Sequence, residues 1–195
     1  MKKFKNRKIL LSFIILFLFG LAVGLLFITY LKDLDKTLIE KEINEYIKLV
    51  SGDIDYLKGF INSFKINFIY ITLIWLVGLI PIIFLLNYFI IFYKGFLIGF
   101  TISSFIMIYK LKGLFLSLIF MFPHELINIF IFITISILSI KFSKKMYLKL
   151  KRNDMYDFKK DYKEYLKVYF IFLILGILNS LIEVFINSLL VRLVV

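Results

Sequence analysis

No cysteine occurs in the sequence, so neither disulfides nor thiol chemistry take part in its fold or function. Histidine occurs once, at His124, and proline twice, at Pro81 and Pro123. A catalytic zinc site needs three protein ligands, and one histidine with no cysteine falls short of that. His124-Glu125-Leu126-Ile127-Asn128 looks like the zinc-protease motif H-E-x-x-H, but Asn128 stands where the second histidine would be. No G-x-S pattern is present for a serine nucleophile. Every aspartate lies in a polar segment, which excludes a pair of membrane-embedded aspartates, and there is no phosphate-binding glycine loop. Catalytic residues, metal ligands and cofactor-binding residues are therefore all expected to be absent.

Charge is scarce over long stretches. Of the 195 residues, 62% are hydrophobic and 19% aromatic, and the mean hydropathy is +0.94. Soluble domains are roughly 45–50% apolar. The apolar residues form the blocks Ile9–Leu31, Ile66–Tyr93, Gly113–Phe122 with Leu126–Ile140, and Val168–Val191, the last broken only by Glu183. A bilayer span needs about 20 apolar residues, and each block meets that length. The pattern predicts an all-α polytopic membrane helix bundle, a single membrane domain over residues 1–195, with membrane lipid as its surroundings. The net charge of +12 does not indicate nucleic acid, because the basic residues cluster beside the apolar blocks, as head-group contacts require.

The N-terminal Met1–Lys8 carries five basic residues and no acid, and a bulky 23-residue apolar run follows. That run is too long for a signal peptide's apolar region and reads as an uncleaved anchor, residues 9–31, with a cytoplasmic N-terminus. Lys32–Lys65 has six basic and seven acidic residues, whereas Lys141–Lys167 has ten basic and four acidic. The positive-inside rule counts lysine and arginine in short loops. It puts the second segment in the cytoplasm and the first outside, so an odd number of crossings separates them. Three crossings within 66–140 fit the lengths, with a possible re-entrant break at Pro123. A last helix over 168–191 then makes about five, with the C-terminus outside. One crossing with re-entrant hairpins is the alternative. Gly95–Tyr109 is short and could draw on Lys110–Met121 to complete a span.

Both polar segments carry helical signals. Ile39, Ile43, Tyr46 and Val50 recur at helical spacing, as do Ile54, Leu57, Ile61 and Phe64, with Gly52 and Asp53 as stop and cap between them. Such faces suit a helix lying on the outer membrane surface or docking a partner.

A few polar residues interrupt the apolar blocks. Pro123-His124-Glu125 reads as a helix start near the outer interface, with the proline at the first helical position and the carboxylate meeting the helix dipole. A functional site is the other reading. Asn179, Glu183 and Asn187 form a stripe at i, i+4, i+8, either glue between helices or a docking or proton-relay feature. Glu183 is expected to face Pro123–Asn128, near His124 or Asn128. Small residues recur as Gly20/Gly24 and as Gly95/Gly99 with Ser103. The second set is expected to mark a close helix contact, the first to matter less.

Lys94-Gly95-Phe96-Leu97-Ile98-Gly99-Phe100, then Phe122-Pro123-His124-Glu125, then Leu181-Ile182-Glu183-Val184-Phe185-Ile186-Asn187 resemble, in that order, the stage II sporulation protein M family. The likeness extends over nearly the whole chain. It departs in one place: the family pattern has glycine after the proline-histidine pair and a carboxylate four residues after the histidine, where Glu125 and Asn128 stand. The resemblance implies a non-enzymatic scaffold in the cell membrane. Such a scaffold holds a peptidoglycan-degrading complex with stage II sporulation proteins P and D during forespore engulfment. The alternative from another class is a small permease or the membrane subunit of an ATP-driven transporter.

The charge asymmetry generates a topology test suited to a chain without cysteine. In intact cells Gly52→Cys is expected to react with an impermeant thiol reagent and Asn153→Cys to be shielded; the reverse pattern would invert the orientation.

Overall fold

Backbone polar groups inside a bilayer must be paired within the chain, so apolar runs of this length cross as helices. The computed structural model describes residues 2–51, 55–152 and 158–194, and among them there are helices and short connections but no strand. The elements are α1 (Lys2–Phe27, followed by a 3-10 turn at Ile28–Tyr30), α2 (Asp33–Ser51), α3 (Tyr56–Leu79), α4 (Leu86–Tyr109), α5 (Leu111–Arg152) and α6 (Phe158–Val194). Five stretches are long and apolar enough to span: Arg7–Tyr30, Tyr56–Leu79, Leu86–Tyr109, His124–Lys151 and Phe158–Ile186.

Local chemistry sets the boundaries. Asp55 caps α3, its carboxylate accepting the Lys58 backbone N–H at 3.0 Å. The helix stops at Leu79, where Ile80 precedes Pro81 and takes the extended conformation that a following proline favours. Lys110 alone links α4 to α5, with a positive φ of 55°. Gly113 follows where a Cβ would strike the Phe105 carbonyl, so its missing side chain lets α5 turn straight back along α4.

Side-chain pairings fix the directions. Phe13 stacks on Tyr88 at 4.5 Å, and Phe27 meets Phe96 and Phe100 further along, so α1 and α4 run parallel. Tyr70 stacks on Phe132, while Ser139 and Ser143 donate to the Ile74 and Ile80 carbonyls, making α3 and α5 parallel to each other. α6 runs antiparallel to both: Tyr165 meets Trp75 near the end of α3, and Glu183 meets Ser63 near its start. α1, α4 and α6 therefore point one way and α3 and α5 the other, as five successive crossings require. α5 is central and touches α1, α3, α4 and α6.

The end of the bundle holding the start of α1 and the connection between α5 and α6 is the more basic. There Phe142 stacks on Tyr165 at 4.1 Å, and the Tyr165 hydroxyl donates to the Trp75 carbonyl at 2.8 Å, beside Gly78. Asn87 donates to Ser139 at 2.8 Å, and Lys145 and Lys149 both reach Asp161, at 2.6 and 2.9 Å. At the opposite end α2 lays Ile39 and Ile43 towards Phe100, Thr101 and Ser104 of α4, and the Tyr109 hydroxyl donates to Asn44 at 2.6 Å.

Several sequence expectations are corrected. Lys32–Lys65 is not a single outer segment, because Tyr56–Lys65 is the first part of α3 and continues into the span. The expected stop and cap at Gly52 and Asp53 lie outside the described residues, and Asp55 supplies the cap. Lys141–Lys167 is largely helical as expected, but not as a separate segment: it is the end of α5, which runs to Arg152, and the start of α6, which begins at Phe158. The continuity of both segments with the spans has one cause: a helix satisfies its own backbone hydrogen bonds and need not end where polarity begins. α4 has 24 residues, about 36 Å, and needs nothing from Lys110–Met121. Pro123 starts no helix and marks no re-entrant break; it lies inside α5, which is continuous from Leu111. The helix continues through Pro123 despite the hydrogen bond a proline removes, and Gly113 near its start lies against the Phe105 backbone of α4.

The α1–α4 contact is the most extensive in the fold. A Cβ at Gly95 or Gly99 would strike the Phe17 or Leu21 carbonyl, and one at Gly20 or Gly24 the Phe92 or Phe96 carbonyl. The two glycine pairs are thus the two sides of one crossing, and the expectation that Gly20 matters less is overturned. Gly20→Leu, Gly24→Leu, Gly95→Leu and Gly99→Leu are each expected to lower the monodisperse yield in detergent several-fold, overpacking costing about 1–3 kcal/mol. Gly59→Ala, whose Cβ would meet Val184 methyls at 3.6 Å, should leave it unchanged. Wild-type yield from Gly20→Leu would refute the shared crossing.

Candidate functional site

Where α3, α4, α5 and α6 converge, the bundle interior is polar. α4 contributes Lys94, whose side chain is 9% exposed, and α5 contributes Glu125, 14% exposed. Lys94 Nζ donates to Glu125 Oε1 at 2.8 Å and lies 5.5 Å from the Tyr70 ring centre and 5.9 Å from that of Phe132. Aromatic faces stabilise a desolvated ammonium, so the lysine is held by one carboxylate and two rings.

One residue earlier on α5, buried His124 turns towards α6, placing Nε2 3.9 Å from Glu183 Oε1. The other Glu183 oxygen accepts the hydroxyl of Ser63 from α3. A turn further along, Asn179 Nδ2 donates to Asn128 Oδ1 at 2.8 Å, and Asn67 Nδ2 donates to Ser180 Oγ at 3.0 Å. Three buried atoms, His124 Nδ1, Glu125 Oε2 and Asn179 Oδ1, have no hydrogen-bond partner among the described residues.

Because α5 starts at Leu111, His124 lies about 20 Å along it, not at an outer helix end. His124 is nevertheless the first residue of the long apolar stretch His124–Lys151. The ionisable side chains sit between helices of the bundle, where a charge needs a partner. Apolar space flanks them. A cavity of about 200 Å³ between α1, α4 and α5 is walled by Phe17, Leu21, Ile98 and Met121 and reaches Glu125.

The sequence-derived candidates fall into two groups. His124, Glu125, Asn128, Asn179 and Glu183 come together in the cluster, with Glu183 facing His124 as expected. Gly95, Gly99 and Ser103 lie on a different face of α4 and pack on α1, where Ser103 Oγ donates to the Gly24 carbonyl at 3.4 Å. The side chain of Asn187 lies outside the described residues. Sequence reasoning missed Ser63, Asn67, Ser180 and the role of Lys94. Lys94 was visible as the one charge in a 44-residue uncharged run, Ile66–Tyr109, and that isolation was the available signal.

Chemically the arrangement is one lysine–glutamate pair and one histidine–glutamate pair, cross-linked by amides and hydroxyls. Among the described residues no group of three or more His, Cys, Asp or Glu side chains could hold a metal ion. The model of one protein family, described as Stage II sporulation protein M, matches residues 13–188. The chain belongs to that family. Its members' model covers every helix of the cluster, from α3 through Glu183 of α6. No curated protein and no solved structure matches the chain significantly.

Truncating one partner of a buried pair strands the other charge and costs about 3–5 kcal/mol. Lys94→Met and Glu125→Leu are therefore each expected to destabilise strongly, and the double variant by clearly less than the sum. Thermal unfolding of the purified variants in detergent checks this; strict additivity would show that the pair carries no coupling.

Proposed function

We propose that this chain is a non-enzymatic anchor in the cell membrane that holds a peptidoglycan-degrading complex during forespore engulfment. Stage II sporulation proteins P and D are its extracytoplasmic partners in this reading, which rests on the membership in the stage II sporulation protein M family. The observation that carries it is how the charges are used. Inside the bundle, Lys94, Glu125, His124 and Glu183 face one another across helices and serve to tie them together. The polar surface free to meet a partner lies at the ends.

The basic end, with Lys141, Lys144, Lys145 and the start of α1, belongs in the cytoplasm by the positive-inside rule. The opposite end is then extracytoplasmic, with the C-terminus on that side. It carries α2, which turns Ile39 and Ile43 inward and exposes Asp35, Glu40, Lys41, Glu42 and Glu45. A helix seated on the bundle with a charged outer face can present a fixed pattern of charge to a soluble domain. Family membership does not favour the permease alternative.

The paired variant Glu40→Lys with Glu45→Lys reverses that pattern without touching the seat of α2. In sporulating cells it is expected to reduce crosslinking to stage II sporulation proteins P and D about tenfold while the protein accumulates normally. Undiminished crosslinking would overturn α2 as the docking element, and no crosslinking by the wild-type chain would overturn the anchor reading.

A further inference from the structure

α3 and α4 follow one another in the chain yet hardly touch, because both pack on α5 instead. Tyr70 of α3 stacks on Phe132, and Ser139 meets both the Ile74 carbonyl of α3 and Asn87 of α4. The two helices are left splayed in front of α5, and a groove of about 380 Å³ runs between them. Its floor is Val77 and Ile90, both buried; its rims are Leu73 of α3 and Phe89 and Tyr93 of α4, all exposed. Apolar and aromatic side chains line it throughout, so it opens sideways on the bilayer. Between Ile69 and Val77 it is about 12 Å long at 1.5 Å per residue. That is close to one leaflet of a hydrocarbon core about 30 Å thick.

The groove ends beside a cation. Val77 and Leu86 lie towards the basic end of the bundle, and Lys144 of α5 holds its Nζ 5.3 Å from the centre of the Phe84 ring, just before Leu86. Lys145 and Lys149 are engaged by Asp161, whereas exposed Lys144 meets no carboxylate among the described residues. Lys141, one turn earlier on the same side of α5, and Arg7 and Lys8 of α1 are exposed at that end too. An apolar trough one leaflet deep, with positive charge where the leaflet meets water, complements a lipid with an anionic head group. We propose that the groove binds one anionic phospholipid from the leaflet at the basic end, an acyl chain lying over Val77 and Ile90 and the phosphate meeting Lys144. Dispersion along the chain and charge at the head hold it, and no covalent bond changes. A lipid in this position joins α3 to α4 where side-chain packing does not. The inference does not rest on the anchor reading.

The full-length protein in detergent is to be titrated with phosphatidylglycerol, and separately with phosphatidylcholine of the same chains, and the complexes read by native mass spectrometry. The expected result is a complex with a single phosphatidylglycerol, held several-fold more tightly than phosphatidylcholine. Lys144→Gln is expected to weaken phosphatidylglycerol binding about fivefold, the share of one interfacial lysine, and to leave phosphatidylcholine unchanged. Leu73→Trp, which fills the groove from its rim, should weaken both lipids, while Leu178→Trp, similarly exposed on α6, should weaken neither. Equal affinity of the wild type for the two lipids overturns the proposal, and that measurement needs no variant to fold. Phosphatidylglycerol binding unmoved by Lys144→Gln, or undiminished in Leu73→Trp, overturns it as well. A copurifying polypeptide that Leu73→Trp releases, with no lipid retained by the wild type, gives the groove to a protein and also overturns it.

Discussion

A lysine in the interior of a 24-residue apolar helix must find an anion on another helix, and the placement of α5 against α4 follows from that need. Lys94 lies about 12 Å from the start of α4, too deep for its side chain to escape to water easily. Glu125 is where α5 answers it, at 2.8 Å. Successive residues of a helix point about 100° apart, so Gly95, next to Lys94, opens on a neighbouring face of α4. That face receives the backbone of α1. One dipeptide therefore sets where two helices attach, α5 through charge and α1 through close approach, and the cavity between them is bounded by those two attachments.

The number of helices and their approximate positions were legible because hydropathy is a bulk property of about twenty residues at once. The ends were not. Tyr56–Lys65 looked like part of a polar loop, yet Asp55 caps a helix that runs from there through the membrane. Hydropathy reports where the bilayer stops, whereas helix ends are decided by caps, by Pro81 and by turns such as Lys110. Pro123 misled for a related reason. A proline at a first helical position and one inside a long helix can have the same sequence neighbours, and what separates the two here is the stretch from Leu111, turned back against α4 at Gly113.

The site was legible in proportion to how rare each residue is in its setting. A lone histidine and a carboxylate in the last helix stand out, and their meeting followed from depth and partner need. Ser63, Asn67 and Ser180 do not stand out, because small polar side chains are ordinary in membrane helices and acquire meaning only from the facing residue. The two glycine pairs show the same limit. Gly20/Gly24 describes one surface, and nothing along α1 says that Gly95/Gly99 is its counterpart.

The bundle is joined by two kinds of seam with different sensitivities. α1 meets α4 backbone to backbone through glycines, with Phe13–Tyr88 and Phe27–Phe96 ring contacts beside them. Dispersion at close range holds that seam, and no proton takes part in it. α6 is attached differently: Glu183 to Ser63 and His124, Ser180 to Asn67, Asn179 to Asn128, Tyr169 to Thr72 at 3.0 Å, and Tyr165 to Trp75. Nearly every contact in that series is a hydrogen bond or an ion pair in surroundings where such bonds are strong and their loss is costly. A change of charge at Glu183 would therefore be felt along α6 and barely at α1. Since α1 and α6 reach the same end of the bundle as α2, that end combines a support held by close backbone packing with one held by directional polar contacts.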